Sequence, residues 1–372
     1  MHSATARRIA RGCWLFVAVT ALQAAEPSGS DVRATHEQMV ARAVSYLLTK
    51  GRAADGSYSS FSGPGVTALV TAGLLKHGRS PDDPQVAPSL KYLQQFVQPD
   101  GGIYQPGSNH KNYETCLAIL CFSEANRDGR FQELLKKAQA FITEGQWDDG
   151  EGAQVSDVAY GGAGYGRSKR PDLSNTSFFL DALKAAETPE NSDAFRKALI
   201  FVSRCQNLES EHNLTEFPAK NPDGGFYYTV AAGGSSMAGK TDNGGLRSYG
   251  SMTYAGLKSM IYAGVKQDDP RVKAAVQWIR DHYDLSANPG MGQAGLYYYY
   301  QTFAKALDAM KIDSLQDGTG ASHAWRAELI EELAKRQQSD GSWVNTTDRW
   351  LEGDANLVTG YVLLALSHCR PQ

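Results

Sequence analysis

Several things are missing from this sequence, and each absence narrows it. No Cys-x-x-Cys or His-x-x-x-His spacing occurs, so no metal ligand set is expected. Charge of one sign is missing too: 37 lysines and arginines nearly balance 40 aspartates and glutamates, for a net charge of −3. Without a basic stripe, no nucleic-acid partner is expected, nor electrostatic docking to an anionic membrane surface. Period-2 alternation is absent over any useful length, which argues against a sheet. Cysteines number only 5. Cys116 and Cys121 stand on one predicted helix and point different ways, which is poor disulfide geometry. Pairing of Cys205 with Cys369 is left open, buried small apolar thiols being the simpler reading.

What is present begins with an N-terminal address. Arg7, Arg8 and Arg11 precede an apolar run from Cys13 to Leu22, followed by Ala24 and Ala25. A basic start, a short apolar core and a small-residue exit describe a secretory signal peptide over residues 1–25. The run is too short for a permanent span, and no later stretch is long enough, so the mature chain is expected to lack a transmembrane anchor. It is expected to be exported, periplasmic or secreted, with residues 34–370 forming one domain.

That domain is a repeat. Asp-Gly turns return at Asp55-Gly56-Ser57-Tyr58, Asp100-Gly101-Gly102-Ile103-Tyr104, Asp149-Gly150, Asp223-Gly224-Gly225-Phe226-Tyr227 and Asp340-Gly341-Ser342-Trp343, with a worn copy at Asn288-Pro289-Gly290. The intervals are about 45 to 75 residues, the signature of a helical repeat array. Asp can bond the backbone ahead of it, and Gly accepts the positive φ such a turn requires. Gln98, Gln146 and Gln337 stand just before turns, where an amide can tie down helix-end carbonyls. A helix with one apolar stripe precedes each turn, as at Val272, Ala275, Val276 and Ile279. A helix apolar on every side follows, as at Val66–Leu75, Thr115–Phe122 and Leu357–Leu366. Helices apolar all round are buried and single-stripe helices are not, so an outer ring is expected around an inner ring.

Gln98-Pro99-Asp100-Gly101-Gly102-Ile103-Tyr104 and Gln337-Gln338-Ser339-Asp340-Gly341-Ser342-Trp343 resemble the Q-x-x-D-G-x-W repeats of squalene and oxidosqualene cyclases, and the related repeats of protein prenyltransferase β subunits. The resemblance runs from about residue 36 to 368. It implies an all-α fold, an α/α toroid of six inner and six outer helices around a central cavity. The cyclases open an inner helix with D-x-D-D-T, which supplies the acid that protonates the substrate. The similar segment here is Asp172-Leu173-Ser174-Asn175-Thr176, with Ser174 and Asn175 at the next two acidic positions. Neither group is an acid strong enough to protonate an alkene. The prenyltransferases carry a zinc-ligand histidine in a P-D-x-x-H-T segment. Pro171-Asp172-Leu173-Ser174-Asn175-Thr176 puts Asn175 there, a poor zinc ligand. Gly290-Met291-Gly292-Gln293 has no thiol, which excludes the thioester chemistry of complement-like toroids. No cofactor is expected.

In such a toroid the starts of the inner helices face one mouth of the cavity. Asp172, Glu114 and Asp354 are candidate catalytic carboxylates there, with helix-capping the simpler reading of all three. Tyr113, Asn175, Arg247, Tyr249, Tyr297 and Tyr298 are candidate ligand contacts. Four consecutive tyrosines, Tyr297 to Tyr300, cover every direction of a helix, so some face the cavity and others the helix packing. Gly-rich stretches at Tyr160–Gly166 and Ala231–Gly245 read as loops able to cover the mouth. The first continues into Arg167, Lys169 and Arg170, able to hold an anion. These glycines follow no strand, so dinucleotide binding is not indicated. Asp148, Asp149, Glu151 and Asp157 form an acidic cluster of the kind that serves glycoside hydrolysis, with Asp149 already assigned to the repeat turn. The lone histidines, His110 among them, have no partner spacing. The leading expectation is a toroid that binds a hydrophobic, isoprenoid-like ligand or a protein partner. The alternative is a divergent terpenoid cyclase or prenyltransferase-like enzyme with a rearranged acidic site.

Overall fold

The computed structural model describes Met1 and residues 29–166 and 170–370. The expected signal peptide (apart from Met1), Arg167 and Lys169 therefore lie outside the described residues. Thirteen α-helices follow one another among the described residues: α1 (Gly29–Tyr46), α2 (Gly65–Lys76), α3 (Ala87–Gln94), α4 (Lys111–Ala125), α5 (Gln132–Glu144), α6 (Leu173–Ala185), α7 (Asp193–Arg204), α8 (Phe217–Lys220), α9 (Gly250–Tyr262), α10 (Pro270–Asp281), α11 (Leu296–Ala309), α12 (Trp325–Arg336) and α13 (Ala355–Ser367). The sheet content is a two-stranded antiparallel ribbon, β1 (Leu315–Gln316) with β2 (Ser322–His323).

Helices α2, α4, α6, α9, α11 and α13 each pack on the next, and α13 packs back on α2, closing a ring. They are the segments that read as apolar on every side. In α2 every residue from Gly65 to Leu75 is buried, and in α13 every residue from Leu357 to Leu366. Such helices need neighbours on both flanks and a layer behind, and only a closed ring with an outer shell supplies all three. The outer helices bury one stripe each, Val272, Ala275, Trp278 and Ile279 in α10 for example. α1 packs on both α12 and α13, joining the outer shell where the ring closes. The architecture is the α/α toroid.

The repeat turns lock outer to inner helices by one recurrent bond. The backbone N–H of Tyr58, Ile103, Ala163, Phe226 and Trp343 donates to the hydroxyl of Thr67, Thr115, Thr176, Thr253 and Thr359, each on an inner helix, at 2.9 to 3.2 Å. In these five copies the turn glycine abuts the following outer helix. A Cβ on Gly101, at φ +89°, would lie 2.8 Å from the Lys137 carbonyl oxygen of α5.

One turn is not where its Asp-Gly pair suggests. The third copy is Tyr160-Gly161-Gly162-Ala163: Gly161 has φ +84°, and a Cβ there would lie 1.8 Å from the Lys197 carbonyl oxygen of α7. Asp149-Gly150 instead belongs to a single 3-10 turn in which Asp148 accepts from Gly150 N at 2.8 Å. An extra stretch after Gln146 sets this turn apart from its outer helix, and the turn has no aspartate, so the Asp-Gly pattern falls on a pair that is not the turn. A second insertion, between Gln206 and Asp223, sets another turn apart from its glutamine. Gln146, Gln206 and Gln337 each donate Nε2 to the turn glycine's carbonyl and to a carbonyl of the next outer helix, at Ala194, Arg271 and Met39. Gln98 is one residue out of register and bonds Phe96 O and Tyr104 O instead.

Candidate functional site

All six inner helices send side chains from their first turns into one cavity of about 730 Å³. Its volume falls within the ~300–1,000 Å³ typical of small-molecule sites. Gly65 and Val66 of α2, Tyr113 of α4, Ser174 and Phe178 of α6, Met252 of α9, Tyr298 of α11 and Tyr361 of α13 form the wall. Phe178 stands edge-on to Tyr113 at 5.2 Å and beside Tyr298 at 6.0 Å, and Tyr298 lies 5.9 Å from Tyr361. Burial holds the Tyr113 phenol up at about 12 and pushes Tyr298 and Tyr361 higher still, so these hydroxyls are neutral at physiological pH. The wall is mainly aromatic and tipped with hydroxyls, with Glu114 as its one carboxylate.

The loop-to-helix junction at α6 sorts the residues of the acid-like segment into two directions. Asp172 caps α6, its carboxylate accepting from Asn175 N at 2.8 Å and from Asn175 Nδ2 at 2.7 Å. It is 3% exposed and lies behind the wall. Burial pushes its carboxyl up to about 6, against the hydrogen bonds from Asn175 and Tyr228 that favour the anion. Asn175 is likewise buried and faces Asp172. Ser174 is the member that reaches the cavity, its hydroxyl 3.0 Å from that of Tyr298.

The other candidates divide in the same way. Tyr113, Tyr249 and Tyr298 line the cavity. Glu114 borders it, with Oε2 accepting from Gln105 N at 2.8 Å and Oε1 from Ser108 Oγ at 2.5 Å, so its carboxylate anchors the loop before α4. Asp354 caps α13, accepting from Leu357 N at 2.8 Å and Ser59 Oγ at 2.7 Å, and is not part of the wall. Arg247 is exposed and donates to Lys240 O, away from the cavity. Tyr297 packs edge-on to Tyr300 and faces Arg336 and Glu332 of α12. Tyr299 and Tyr300 donate to the carbonyls of Asp284 and Leu285. The tyrosine run therefore sends one ring inward and spends the others on packing.

The rim comes from loops whose contribution no helical period announces. Tyr165, Tyr228, Met237, Phe61, Trp350 and Leu351 all border the cavity. Trp350 and Leu351 adopt φ of 58° and 64°, with the Trp350 ring against Gly295. In the same loop buried Glu352 accepts from Tyr298 N at 2.8 Å, capping α11 from outside, since Gly295 has no side chain to do so. The stretch Ala231–Gly245 is a compact loop closed by its own backbone bonds, and it presents Met237 to the mouth. Arg170 is exposed. The acidic cluster near residue 150 is consumed by local structure: Lys197 pairs with Asp148 and Asp149 at 2.7 and 3.1 Å, and Asp157 accepts from Gln154 N. The four described cysteines are buried and free. Among the described residues no group of His, Cys, Asp or Glu is placed to hold a metal ion, and no helix is long and apolar enough to cross a membrane.

Comparisons with known proteins agree with this geometry. Residues 59–230 match the family described as squalene-hopene cyclase C-terminal domain. A search of curated proteins found no match. Among solved structures, a variant of the type II terpene cyclase MstE from Scytonema, in complex with geranylgeranyl dihydroxybenzoate, superposes with a TM-score of 0.51 at 13% identity, over 92% of this chain and 99% of that one. A protein from Actinoplanes gives 0.53 at 15% identity, over 90% and 99%. A glycosyl hydrolase family 88 protein from Bacteroides vulgatus gives 0.53 at 9% identity, over 93% and 100%. At such identities the likeness is one of fold, and the toroid hosts unrelated chemistries. Over residues 59–230 the chain is thus similar to the squalene-hopene cyclase C-terminal domain, and over most of its length it shares the toroid fold seen in a type II terpene cyclase.

Proposed function

We propose that the cavity binds an elongated hydrophobic ligand of the isoprenoid class and holds it without cyclising it. The observation that carries this reading is Ser174. At the opening of α6 the side chain turned toward the cavity is a hydroxyl bonded to Tyr298, while Asp172 is turned back to cap the helix. Asp172 is also a weaker acid than usual, because burial pushes its carboxyl up to about 6, whereas protonating an alkene needs a stronger one. The aromatic wall suits polyene chains, and its hydroxyl tips suit one polar end. The structural neighbour holding geranylgeranyl dihydroxybenzoate combines these two features in one ligand. In this reading residues 1–25 are a signal peptide, residues 34–370 are the binding domain, and the protein works after export.

The test is native mass spectrometry of the mature protein with geranylgeraniol and squalene, followed by extraction and gas chromatography of what was bound. Stoichiometric adducts recovered as unchanged isoprenoid are expected, with binding weakened at least tenfold in Tyr298→Ala. No adduct with either compound would remove the ligand and leave the outer surface, and a protein partner, as the working part. A cyclised product would establish the second reading, a divergent enzyme. Its supporting observation is that Asp172 keeps its proton to about pH 6 with Tyr228 beside it on the cavity wall. Loss of that product in Asp172→Asn would then assign the acid.

A further inference from the structure

The inner helices line two chambers. On α6 the inward stripe runs Ser174, Phe178, Asp181, spacings of four and three that keep one helical face. Ser174 opens on the aromatic cavity, Asp181 on a second pocket of about 200 Å³ at the opposite end of the ring, and Phe178 borders both. On α11 the same stripe runs Tyr298, Gln301, Lys305, from the aromatic cavity to the second pocket. The bore changes character along its axis, from tyrosines at helix starts to charged groups at helix ends.

Those charges do not cancel. Lys76 of α2 pairs with Glu124 of α4 at 2.5 Å, Lys184 pairs with Glu190 at 2.5 Å, and His368 Nδ1 meets Asp308 at 2.8 Å. Asp181, by contrast, faces two lysines: Lys258 of α9 at 2.6 Å and Lys305 of α11 at 2.8 Å. Asp181 and Lys258 are about 1% and 2% exposed in their side chains, while Lys305, at 14%, borders the pocket. A buried trio with one positive charge in excess is costly unless something neutralises it. Burial lowers Lys258 to about 8, with Asp181 raising it and Lys305 lowering it further, as expected of a cation short of counter-charge. The amide of Gln301 borders the same space and can serve as a donor.

We propose that this second pocket is a binding site for a small oxyanion of phosphate size, held by Lys305 with Gln301 and screened from bulk solvent by the inner-helix ends. It is separate from the aromatic cavity and independent of what that cavity binds. Isothermal titration with inorganic phosphate at pH 7, at constant ionic strength set by chloride, tests it. One saturable site is expected, together with a rise in Tm as phosphate displaces chloride. Lys305→Gln should weaken binding at least tenfold, whereas Lys91→Gln on the exposed face of α3 should leave it unchanged. Asp181→Asn, if it folds, should tighten binding several-fold, because a competing carboxylate charge is removed. No saturable heat in the wild type would overturn the proposal. So would equal affinity in Lys305→Gln, or a Tm loss in that variant that is the same with and without phosphate, which is what a purely structural lysine would give.

Discussion

Replacing Asp172 by Asn should remove the pH dependence contributed by one buried group and leave the architecture in place. Asp172 is 3% exposed, and burial raises its carboxyl from 3.8 to about 6. A folded-state value above the unfolded one means the folded chain holds the proton more tightly. The group's stabilising contribution is therefore full below about pH 4 and is lost as pH rises through about 6. A shift of about two units corresponds to about 3 kcal/mol at neutral pH. Asparagine caps a helix as well as aspartate, so Asn175 N keeps its acceptor. The amide N–H that replaces the second oxygen can be met by Asn175, whose Oδ1 has no partner in the wild type and is presented by a ring-like flip of that amide. Urea unfolding of both proteins at pH 4 and pH 7.5 cancels the titration of every other group. The variant should gain about 3 kcal/mol relative to wild type between the two pH values. A stability difference that does not move with pH would refute the argument, because it would mean that Asp172 ionises as an exposed carboxylate does.

Gly161→Ala should cost about 2–4 kcal/mol in urea unfolding, since it forces a side chain into positive φ and against the Lys197 carbonyl. Gly150→Ala, in the Asp-Gly pair that is not the repeat turn, should change stability by less than about 1 kcal/mol. Asp181→Ala strands two lysines inside the ring and should lose about 3–5 kcal/mol, read as a fall in the denaturation midpoint. Cys116, Cys121, Cys205 and Cys369 are buried, and burial pushes their thiols well above the ordinary range. Under native conditions they should resist iodoacetamide, and all four should react in urea; rapid native alkylation of any one would contradict its placement.

The ring itself was legible because burial on every side leaves no helical period, and α2 and α13 carry that pattern without interruption. The Asp-Gly turns were legible for the same kind of reason, since backbone geometry restricts which residues fit. The third turn was misplaced because only its glycines are required by the packing on α7; its aspartate is not, and an unrelated Asp-Gly pair stood nearby. Gln206 is not legible as a turn glutamine because Asp223 follows 17 positions later, although the bonds it makes match those of Gln146 and Gln337. For the site, Tyr113, Tyr249 and Tyr298 follow from helix starts facing one mouth. Tyr165, Tyr228, Met237 and Trp350 enter from loops, whose approach to the cavity depends on distant contacts such as Trp350 against Gly295. Asp354 and Tyr297 sit at the right helix ends but on the wrong side of them, a matter of helical phase that residue type does not reveal. Nothing in the sequence singles out the lysines at 258 and 305, and only ring closure brings both to one aspartate.

Closure of the ring has a further consequence. The His36 ring on α1 lies 3.0 Å from the Leu366 carbonyl of α13, and Gln337 reaches the Met39 carbonyl. In an open solenoid the terminal units are spectators that can fray or be trimmed while the middle persists. Here no unit is terminal: the first serves the last as any neighbour does. Removing one helix pair would not shorten the array but break its circumference, exposing two apolar flanks at once. The chain is therefore bound to unfold as a single cooperative block, and an altered number of repeats would demand a different curvature at every joint.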